Sequence, residues 1–483
     1  MIELGLIHKN KKDKIFITFC EGSLLACPAN YYNKQNICKK CINQQKYTIN
    51  NFFNNVTLIK LNLSDKNFKI KENIKSVEKF KKLKYRELPI GKLTISTIVT
   101  QKADIFLKFS EIKHEAYNIA ENSIKIYEFT KEIIKKHKIN IAYSWNGRRT
   151  SDGPILYAAK KNNIKFFAYT NGGRVTNFKI QPTLGVHNLK YSRNLIKKIY
   201  KKNKNNKKFY KIANYFFSYM RYGGKKIYGR EIYSQLFDNK KILIPKNKKV
   251  LTIFTSSYWE FFSLHDKEWE TIDQFRILDK ILNDKELNKK YNIIIRWHPN
   301  QRFSGKGERK AIDQLIRKNK KIIHFDYNSS INSYKLLENS DVILSFGSTI
   351  GIEATYYNKP SICFGSAFFD QTGGVYIAKS YFSLRKKLLS QLKPLPKINA
   401  LKFAYHEMEH GNIDYKNLKI DKFNRYFYNS KRIKKHNIIS YLWEILKNFY
   451  SINQNNIMFK FLFYLYKNYK KKFNNKGIYN YKI

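Results

Sequence analysis

A glycine and two hydroxyl side chains, Gly347, Ser348 and Thr349, follow an apolar run and precede a stretch with helical spacing. A glycine lets the backbone approach a ligand closely, and the hydroxyls and amides at the start of a helix favour a phosphate group. Glu353 lies four residues after Thr349, so both would share one helix face, from which the carboxylate could accept hydrogen bonds from a ribose. The alternative is a plain helix cap with a solvated glutamate. The segment is a candidate loop for binding the phosphate and ribose of a nucleotide.

Three further segments carry polar side chains after apolar runs. His298 precedes a proline, which would keep its backbone extended and present the imidazole where it could donate to a phosphate or assist a leaving group. Ser256 and Ser257 offer hydroxyls after another run and extend the candidate nucleotide site. Asn146 and Arg148, from an earlier part of the chain, could contact an acceptor or a phosphate. The alternatives are a structural histidine and a tight turn with solvated arginines.

The candidate catalytic residues are His298, Asp152 and Glu260, and the two carboxylates are the candidates for a general base. Each carboxylate lies just past one of the polar segments. The sequence has no clear Asp-x-Asp pair to hold a metal ion on a diphosphate. We therefore expect phosphate charge to be met by helix dipoles, His298 and basic side chains, with no cofactor and no metal ion.

Apolar runs and helical spacing alternate between residues 249 and 365. The alternation predicts βαβ units, a parallel sheet covered on both faces, and ligand-binding loops at the carboxyl ends of the strands. This region is predicted to be a Rossmann-like domain. The predicted elements are strands at 250–255, 291–297, 322–325, 341–346 and 361–364, and helices at 266–282, 308–319, 330–339 and 349–357.

The same alternation occurs near the end of the first half, where we predict a helix at 104–136, a strand at 139–145, a helix at 152–162 and a strand at 164–169. The predicted fold class is α/β, with two Rossmann-like domains, a cleft between them and a helical C-terminal tail. The predicted divisions are an acceptor-side α/β domain at 1–235, a linker at 236–249, a nucleotide-donor domain at 250–400, and a basic, aromatic tail at 401–483.

Four of the five cysteines lie near the amino terminus, at Cys20, Cys27, Cys38 and Cys41. Four thiolates can form a tetrahedral zinc site, although the spacing of the first pair is wider than usual. The alternative is a set of free or buried thiols, since disulfides are rare in the cytoplasm. A zinc site at these cysteines is therefore only a weak possibility.

The net charge is +57, from 93 Lys and Arg against 36 Asp and Glu, and the basic residues are spread over the whole chain. Such a surface favours polyanionic partners, but no nucleic-acid-binding motif is present, so we expect no dedicated nucleic-acid binding. Without a signal-peptide pattern or an apolar run of 18 residues, the expected location is the cytoplasm. The aromatic and lysine-rich segment 455–483 could lie on an anionic membrane surface, or pack as a terminal helix.

The motifs of residues 140–370 resemble those of bacterial capsule polysaccharide biosynthesis proteins and related surface-carbohydrate glycosyltransferases of the GT-B fold. The resemblance implies a GT-B-like fold in which His298, Ser348 and Thr349 contact the donor phosphate and Glu353 holds ribose or base. One departure is that such proteins often carry a glutamate before a glycine near residue 171, where this chain has asparagine. The motifs are Asn146-Gly147-Arg148, His298-Pro299, Ser333-Tyr334, Asp341, Gly347-Ser348-Thr349 with Glu353-Ala354, and Lys359-Pro360.

Together the motifs and the resemblance predict a glycosyltransferase of capsule or other surface polysaccharide biosynthesis. It would transfer a sugar from a nucleotide-sugar donor, with CMP-sugars among the candidates, to a glycan or lipid-linked acceptor. We expect it at the inner face of the cytoplasmic membrane. One alternative is a CDP-glycerol-type glycerophosphotransferase, which would use a similar histidine and hydroxyl set. The other is a non-catalytic polysaccharide-binding or export accessory protein.

Overall fold

The structure is a computed structural model of the 483-residue chain. By compactness the chain divides into a smaller unit, Met1–Gly22 with Cys27–Lys60 and Lys416–Ile483, and a larger unit, Ser23–Ala26 with Leu61–Tyr415. The residues that the structure describes are 2–27, 30, 34–53, 56–63, 68–173, 176–222, 244–245, 247–264, 269, 273–320, 322–409, 412–421 and 425–433.

The helices of the described residues are α1 (Ile2–Asn10), α2 (Gln35–Phe52), α3 (Val77–Lys81), α4 (Ile90–Lys102), α5 (Phe109–Lys136), α6 (Gly153–Lys161), α7 (Leu189–Asn203), α8 (Lys207–Tyr222), α9 (Gln274–Asn283), α10 (Lys285–Lys290), α11 (Lys306–Lys318), α12 (Ser333–Glu338), α13 (Ile350–Tyr356), α14 (Tyr381–Leu389) and α15 (Lys397–Glu409). Short 3-10 helices span Tyr258–Glu260 and Pro299–Phe303.

The strands in the same residues are β1 (Ile15–Phe19), β2 (Val56–Lys60), β3 (Ile141–Trp145), β4 (Lys165–Asn171), β5 (Asn177–Gln181), β6 (Lys249–Phe254), β7 (Tyr291–Arg296), β8 (Ile323–Phe325), β9 (Val342–Ser345), β10 (Ser361–Phe364), β11 (Tyr376–Ala378), β12 (Asn412–Asp414), β13 (Lys419–Ile420), β14 (Tyr426–Tyr428) and β15 (Lys431–Arg432).

In the larger unit, the described strands of 249–378 form one parallel sheet in the order β11-β10-β9-β6-β7-β8. The central strands are continuous apolar runs, and Leu251, Ile253 and Leu344 are fully buried because helices cover both faces. The order reverses direction at β6, so the loops after β6, β7 and β9 lie beside one another. The predicted Rossmann-like sheet is confirmed.

A second sheet in the larger unit has the order β12-β5-β4-β3. Strands β3 and β4 are parallel, as the pattern of strand, helix and strand predicts, whereas β5 and β12 run antiparallel to their neighbours. The α/β class, with parallel strands in two separate sheets, is thus confirmed. The predicted domain boundaries and the linker at 236–249, most of which lies outside the described residues, stay predictions.

Helix α4 packs in the interior of the larger unit. It is buried over most of its surface, and Leu93, Ile95 and Ile98 are fully buried. The core cluster that contains these residues also includes side chains of β6 and β7, so both sheets share one continuous core. The Ser263 hydroxyl donates to the Lys92 carbonyl at 3.0 Å, which ties the loop after β6 to this helix. The loops of the two sheets are therefore held by the same core.

The smaller unit contains the parallel pair β1 and β2 and the antiparallel strands β13, β14 and β15. Its core includes Leu6, Phe52 and Phe53. The buried carboxylate of Glu3 accepts main-chain N–H groups of Asn417 and Leu418, at 3.1 and 2.9 Å, because a buried carboxylate needs hydrogen-bond donors. The two ends of the described chain therefore meet in one unit.

Three predicted elements differ from those observed. The predicted helix 104–136 begins only at Phe109, because Ala103 ends α4 with a left-handed backbone (φ +48°). The predicted helix 266–282 begins at Gln274, where the Asp273 carboxylate caps the first turn by accepting the Arg276 N–H. The predicted helical tail is helical in α15, but after it the described residues form the short strands β12 to β15.

The tail strands have a tertiary cause. Strand β12 pairs with the open edge of β5, and this pairing satisfies backbone groups that a helix would satisfy internally. Helical spacing cannot reveal such a partner. The tail beyond residue 433, including the segment 455–483, lies outside the described residues. Within those described, no helix combines the length and the apolar character needed to cross a membrane.

Candidate functional site

The loops after β6 and β7 are joined by a small hydrogen-bond network at the carboxyl edge of the parallel sheet. The Thr255 hydroxyl donates to Gln301 Oε1 at 2.7 Å and accepts the His298 main-chain N–H at 2.9 Å. Gln301 Oε1 also accepts that N–H, at 2.8 Å. Thr255 and Gln301 are both buried, so the polar groups must satisfy one another. The network sets the position of His298.

His298 is held as a neutral imidazole. Its Nδ1 accepts the main-chain N–H of Asn300 at 3.2 Å, so the proton of the neutral ring lies on Nε2. Burial, reinforced by the Arg296 guanidinium, lowers the pKa of His298 to about 4. At physiological pH the ring therefore offers an N–H donor at Nε2 without a positive charge.

Glu260 lies in the 3-10 helix after β6, where its carboxylate hydrogen-bonds with the Ser257 hydroxyl and the Asn300 amide. Burial raises the pKa of Glu260, while Arg148 and the two hydrogen bonds oppose that rise. Ser257 and Glu260, which were both predicted as site residues, therefore lie together beside the loop that carries His298. A carboxylate with a raised pKa and fixed hydrogen bonds suits proton transfer.

Arg148 connects the second sheet to this group. It is buried, and its Nη1 donates to the main-chain oxygen of Glu260. Because Arg148 follows β3 and Glu260 follows β6, the two sheets contribute loops to the same site. The neighbouring Arg149 has a buried Nε with no hydrogen-bond partner among the described residues. Two cationic side chains thus adjoin the carboxylate.

The turn before Arg148 depends on a glycine. Gly147 has φ +86°, and a Cβ there would lie 2.3 Å from the Leu184 carbonyl oxygen, so no other residue fits without a shift. Asn146 donates its main-chain N–H to the Tyr169 oxygen and accepts the Val186 N–H, both at 2.9 Å. The Asn146 Oδ1 atom is buried and has no partner in the described part of the chain. These contacts hold the turn, and the buried oxygen keeps an unused acceptor.

Asp152 supports the same turn from inside. Its Oδ1 accepts the Arg149 main-chain N–H at 2.8 Å, and the Ser144 hydroxyl donates to the Asp152 carbonyl at 2.9 Å. Burial raises the pKa of Asp152 to about 6, although Arg149 and Arg148 oppose the rise. The geometry places Asp152 beneath the arginine loop, where it positions Arg148 and Arg149. Of the two predicted bases, Glu260 has the more suitable surroundings.

Ser256 holds the loop after β6 against α9. Its main-chain N–H donates to Gln274 Oε1 at 3.1 Å, and its carbonyl accepts Gln274 Nε2 at 3.0 Å. Both residues are buried. The two predicted serines therefore differ in their contacts. Ser256 is held by main-chain hydrogen bonds to Gln274, and the Ser257 hydroxyl contacts Glu260.

The loop after β9 has the predicted geometry of strand, glycine turn and helix. Gly347 has φ +82°, and a Cβ there would lie 3.2 Å from the Ser366 oxygen. Thr349 is the residue before α13, but its hydroxyl does not cap that helix, so the simple cap interpretation does not apply to its side chain. Ser348 and Thr349 are both partly exposed. Their hydroxyls can therefore reach a ligand.

Glu353 lies one turn further on and is buried. Only 2% of it is exposed, and Oε2 accepts a hydrogen bond from the Tyr334 hydroxyl. Burial and the Glu353 carboxylate raise the pKa of Tyr334 well above its usual range, which keeps the phenol protonated as a donor. The pair links α13 to α12 behind the glycine loop. The predicted ribose contact of Glu353 stays a prediction.

Sequence reasoning missed three residues of this site. Asn300 binds the Glu260 carboxylate, Gln301 holds His298, and the Gln301 amide donates to Glu308 Oε1 at 3.1 Å. A signal for Gln301 was available, because a polar residue followed three positions later by glutamine is the spacing of a capping box. Nothing in the local pattern marks Glu308, which lies on an otherwise ordinary polar helix.

The four amino-terminal cysteines are free thiols. Burial, with the neighbouring Cys20, raises the pKa of Cys41. Cys38 Sγ accepts a hydrogen bond from Asn30 at 3.2 Å. Within the described parts of the chain, no group of three or more His, Cys, Asp or Glu side chains could hold a metal ion. The zinc hypothesis gains no support from this geometry.

Residues 189–387 match the family of capsule polysaccharide biosynthesis proteins. This segment contains both His298 and the Gly347 loop, and the match confirms the resemblance predicted from the motifs. The Arg148 loop lies outside it. No curated protein matches the chain.

Several solved structures resemble the chain. One is KpsC of Thermosulfurimonas dismutans, a beta Kdo 2,7 transferase, with 13% identity over 65% of this chain and 87% of that one, at a TM-score of 0.36. The beta Kdo 2,4 transferase KpsC of the same organism has 17% identity over 62% and 85%, at 0.34. UDP-GlcNAc 2-epimerase from Neisseria meningitidis, bound to UDP-GlcNAc, has 13% identity over 61% and 78%, at 0.27.

Proposed function

We propose that the chain is a glycosyltransferase of capsule or other surface polysaccharide synthesis, which transfers a sugar from a nucleotide-sugar donor to a glycan or lipid-linked acceptor. One observation carries the proposal. Loops from two sheets bring a carboxylate, Glu260, and a cation, Arg148, together beside the neutral donor His298. The family match of residues 189–387 supports the same class of chemistry.

The donor phosphate would lie across the carboxyl edge of the parallel sheet. There the Nε2–H of His298 would donate to a phosphate oxygen, and the hydroxyls of Ser348 and Thr349 would donate from the neighbouring loop. Arg148 and Arg149 would balance the charge. These groups are fixed before the substrate arrives, so they can stabilise charge that develops in the transition state without reorganising.

In the transfer step, the acceptor hydroxyl oxygen forms a bond to the anomeric carbon of the donor sugar. Its proton passes to the Glu260 carboxylate, which the Ser257 and Asn300 hydrogen bonds orient. The bond between the anomeric carbon and the phosphate oxygen breaks, and the nucleotide leaves with the bonding electrons. The Nε2–H of His298 donates a hydrogen bond to the leaving phosphate as negative charge develops on it. Asp152 acts only by holding the arginine loop.

The test is a donor panel with the full-length protein and with His298→Ala. The panel contains CMP-sugars, UDP-sugars and CDP-glycerol, and release of free nucleotide is measured with and without glycan acceptors. We expect turnover of one nucleotide sugar, reduced by about 10²–10³ in kcat for His298→Ala, because one donor to developing charge is lost. His114→Ala, an exposed histidine on α5, is the matched control.

Three outcomes would contradict the proposal. Release of CMP from CDP-glycerol, with no turnover of any nucleotide sugar, would indicate a glycerophosphotransferase. Binding of nucleotides without turnover of any donor would indicate an accessory protein. Unchanged kinetics in a folded His298→Ala variant would remove His298 from the mechanism.

A further inference from the structure

A cavity of about 200 Å³ lies among α7, the loop after β10 and α15. It is smaller than the roughly 300–1,000 Å³ of sites that hold drug-sized ligands, so it suits one small unit and not a whole nucleotide. None of the residues assigned to donor binding or catalysis lines it. Its walls include Arg193, Lys197, Tyr200, Phe368, Thr372 and Lys402.

The arginine of this cavity is already neutralised. The Nε of Arg193 donates to Asp370 Oδ1 at 2.8 Å, and its Nη2 donates to Oδ2, so the pair is bidentate. Both side chains are buried, with 7% and 4% exposed. Asp370 also accepts the Ala367 N–H at 3.2 Å, which fixes the loop after β10. The carboxylate is therefore committed to Arg193 and to the loop.

The two lysines of the cavity have polar partners but no carboxylate among the described residues. Lys197 donates to Gln371 Oε1 at 3.2 Å. Lys402 donates to Asn399 Oδ1 at 2.6 Å, and its Nζ lies 4.7 Å from the centre of the Tyr200 ring. Burial lowers the pKa of Lys402, which reflects a desolvated positive charge without a counter-ion. An anion in the cavity would compensate that charge.

The aromatic walls continue toward Glu260. The ring of Phe368 lies 5.4 Å from that of Trp269, which stacks on Phe261 at 4.9 Å, and His187 lies 6.2 Å from Phe368. Phe261 directly follows Glu260 in the chain. All four rings are partly exposed. This aromatic row, residues 187, 261, 269 and 368, offers apolar surface between the cavity and the proposed site of transfer.

We propose that the cavity binds an acidic sugar residue of the acceptor, one that carries a carboxylate or a phosphate group. Lys197 and Lys402 bind the anionic group, and Tyr200 and Phe368 cover the apolar face of the sugar ring. The aromatic row supports the chain between this residue and the hydroxyl that reacts near Glu260. The assignment of the ligand as acceptor rests on the proposed function, whereas the binding itself can be measured without turnover.

The experiment is a binding titration of the full-length protein with three probes. Binding is measured by NMR saturation transfer and by calorimetry. The probes are glucuronate, glucose 1-phosphate and glucose, which present a carboxylate, a phosphate and no charge on one ring. We expect both acidic sugars to bind and glucose to bind at least about tenfold more weakly, a difference of about 1.4 kcal/mol. Binding should weaken as salt is raised.

Substitutions of the two cavity lysines test whether the sugars bind in the cavity. Lys402→Gln combined with Lys197→Gln should abolish the preference for acidic sugars, while Lys402→Arg, which keeps the charge, should retain it. Lys198→Gln is the matched control, since it makes the same charge change on α7 at an exposed residue outside the cavity wall. Circular dichroism and thermal unfolding check that each variant is folded.

Several results would overturn this proposal. They are equal binding of glucose and the acidic sugars, no binding of either acidic sugar, or equal affinity in the double variant and the wild type. Displacement of glucuronate by inorganic phosphate at the same affinity would show an anion site without sugar recognition. Nucleotide release in the donor panel is a separate measurement. If acidic sugars bind at the cavity but no donor turns over, the proposed function fails and the binding site stands.

Discussion

Glu308→Gln gives the sharpest test of how the His298 loop is held. Glu308 is fully buried on α11, its Oε1 accepts the Gln301 amide, and its Oε2 has no partner in the described residues. Burial raises the pKa of Glu308 to about 8, the nearby Asp104 carboxylate adds to the rise, and the Gln301 hydrogen bond opposes it. The folded protein therefore keeps this carboxyl protonated near neutral pH. Glutamine has nearly the same shape and never ionises.

The pKa shift gives both the sign and the size of the effect. Below pH 4.5 the carboxyl is protonated in the folded and unfolded states, so it does not make stability depend on pH. Between pH 4.5 and about 8 only the folded state holds the proton, so wild-type stability falls as the pH rises. At pH 7 the accumulated loss is on the order of 3 kcal/mol, from about 1.4 kcal/mol for each pH unit. The variant escapes this loss.

The assay is urea unfolding at several pH values from about 5 to 8.5, with circular dichroism as the signal that reports unfolding. We expect the free energy of unfolding of Glu308→Gln to lie within about 1 kcal/mol of the wild type near pH 5 and to exceed it by roughly 4 kcal/mol at pH 8. Asp313→Asn is the control, because it removes an exposed carboxylate from the same helix. Its difference from the wild type should not change over this range.

A parallel pH dependence in Glu308→Gln and the wild type would refute the reasoning, because it would show that Glu308 titrates normally. A variant less stable at every pH would show that the second carboxyl oxygen has a partner that glutamine cannot replace. The donor assay adds an independent reading. If ionised Glu308 disturbs Gln301 and His298, wild-type turnover should fall on the alkaline side near pH 8, and this fall should be absent from the variant.

Three further predictions concern the reaction and the tail. Glu260→Gln should lower kcat by about 10²–10⁴-fold and remove the acid limb of the pH–rate profile. In the wild type this limb should lie at a higher pH than for an ordinary glutamate, because the pKa of Glu260 is raised. An unchanged profile would exclude Glu260 as the base. Glu353→Gln should raise the donor KM more than it lowers kcat, since ribose contacts are similar in the ground and transition states, and Tyr334→Phe separates this from loss of the buried pair. Removal of residues 455–483 should leave a folded protein that no longer sediments with anionic vesicles at low salt, each lysine contributing about 1 kcal/mol; an insoluble product would contradict it.

The hydrophobic pattern of the sequence was sufficient to predict the parallel sheet. Each central strand is a continuous apolar run with a glycine or proline nearby, and the intervening helices have apolar residues at helical spacing, so periodicity predicts both. The same pattern places His298 and Gly347 after strands. Their common edge follows because strands in such a sheet are parallel. These features depend on neighbours in the chain.

Periodicity failed where a distant partner decides the structure. Residues 412–414 became a strand because the edge of β5 was open, and α5 begins at Phe109 because the chain turns where Asp104 accepts the N–H groups of Phe106 and Gly307. A window of sequence contains no information about an edge or a carboxylate 200 residues away. Boundaries set by such contacts cannot be derived from spacing.

The sequence by itself determined the α/β class, the positions of His298, Gly347 and the arginine turn at strand ends, and the strongly basic character of the chain. Only the tertiary structure decided what these groups can do. It joins Arg148 to Glu260, places Asp152 in a supporting role and makes His298 a neutral donor. Protonation and pairing depend on burial and on groups far apart in the chain, and folding alone brings these together.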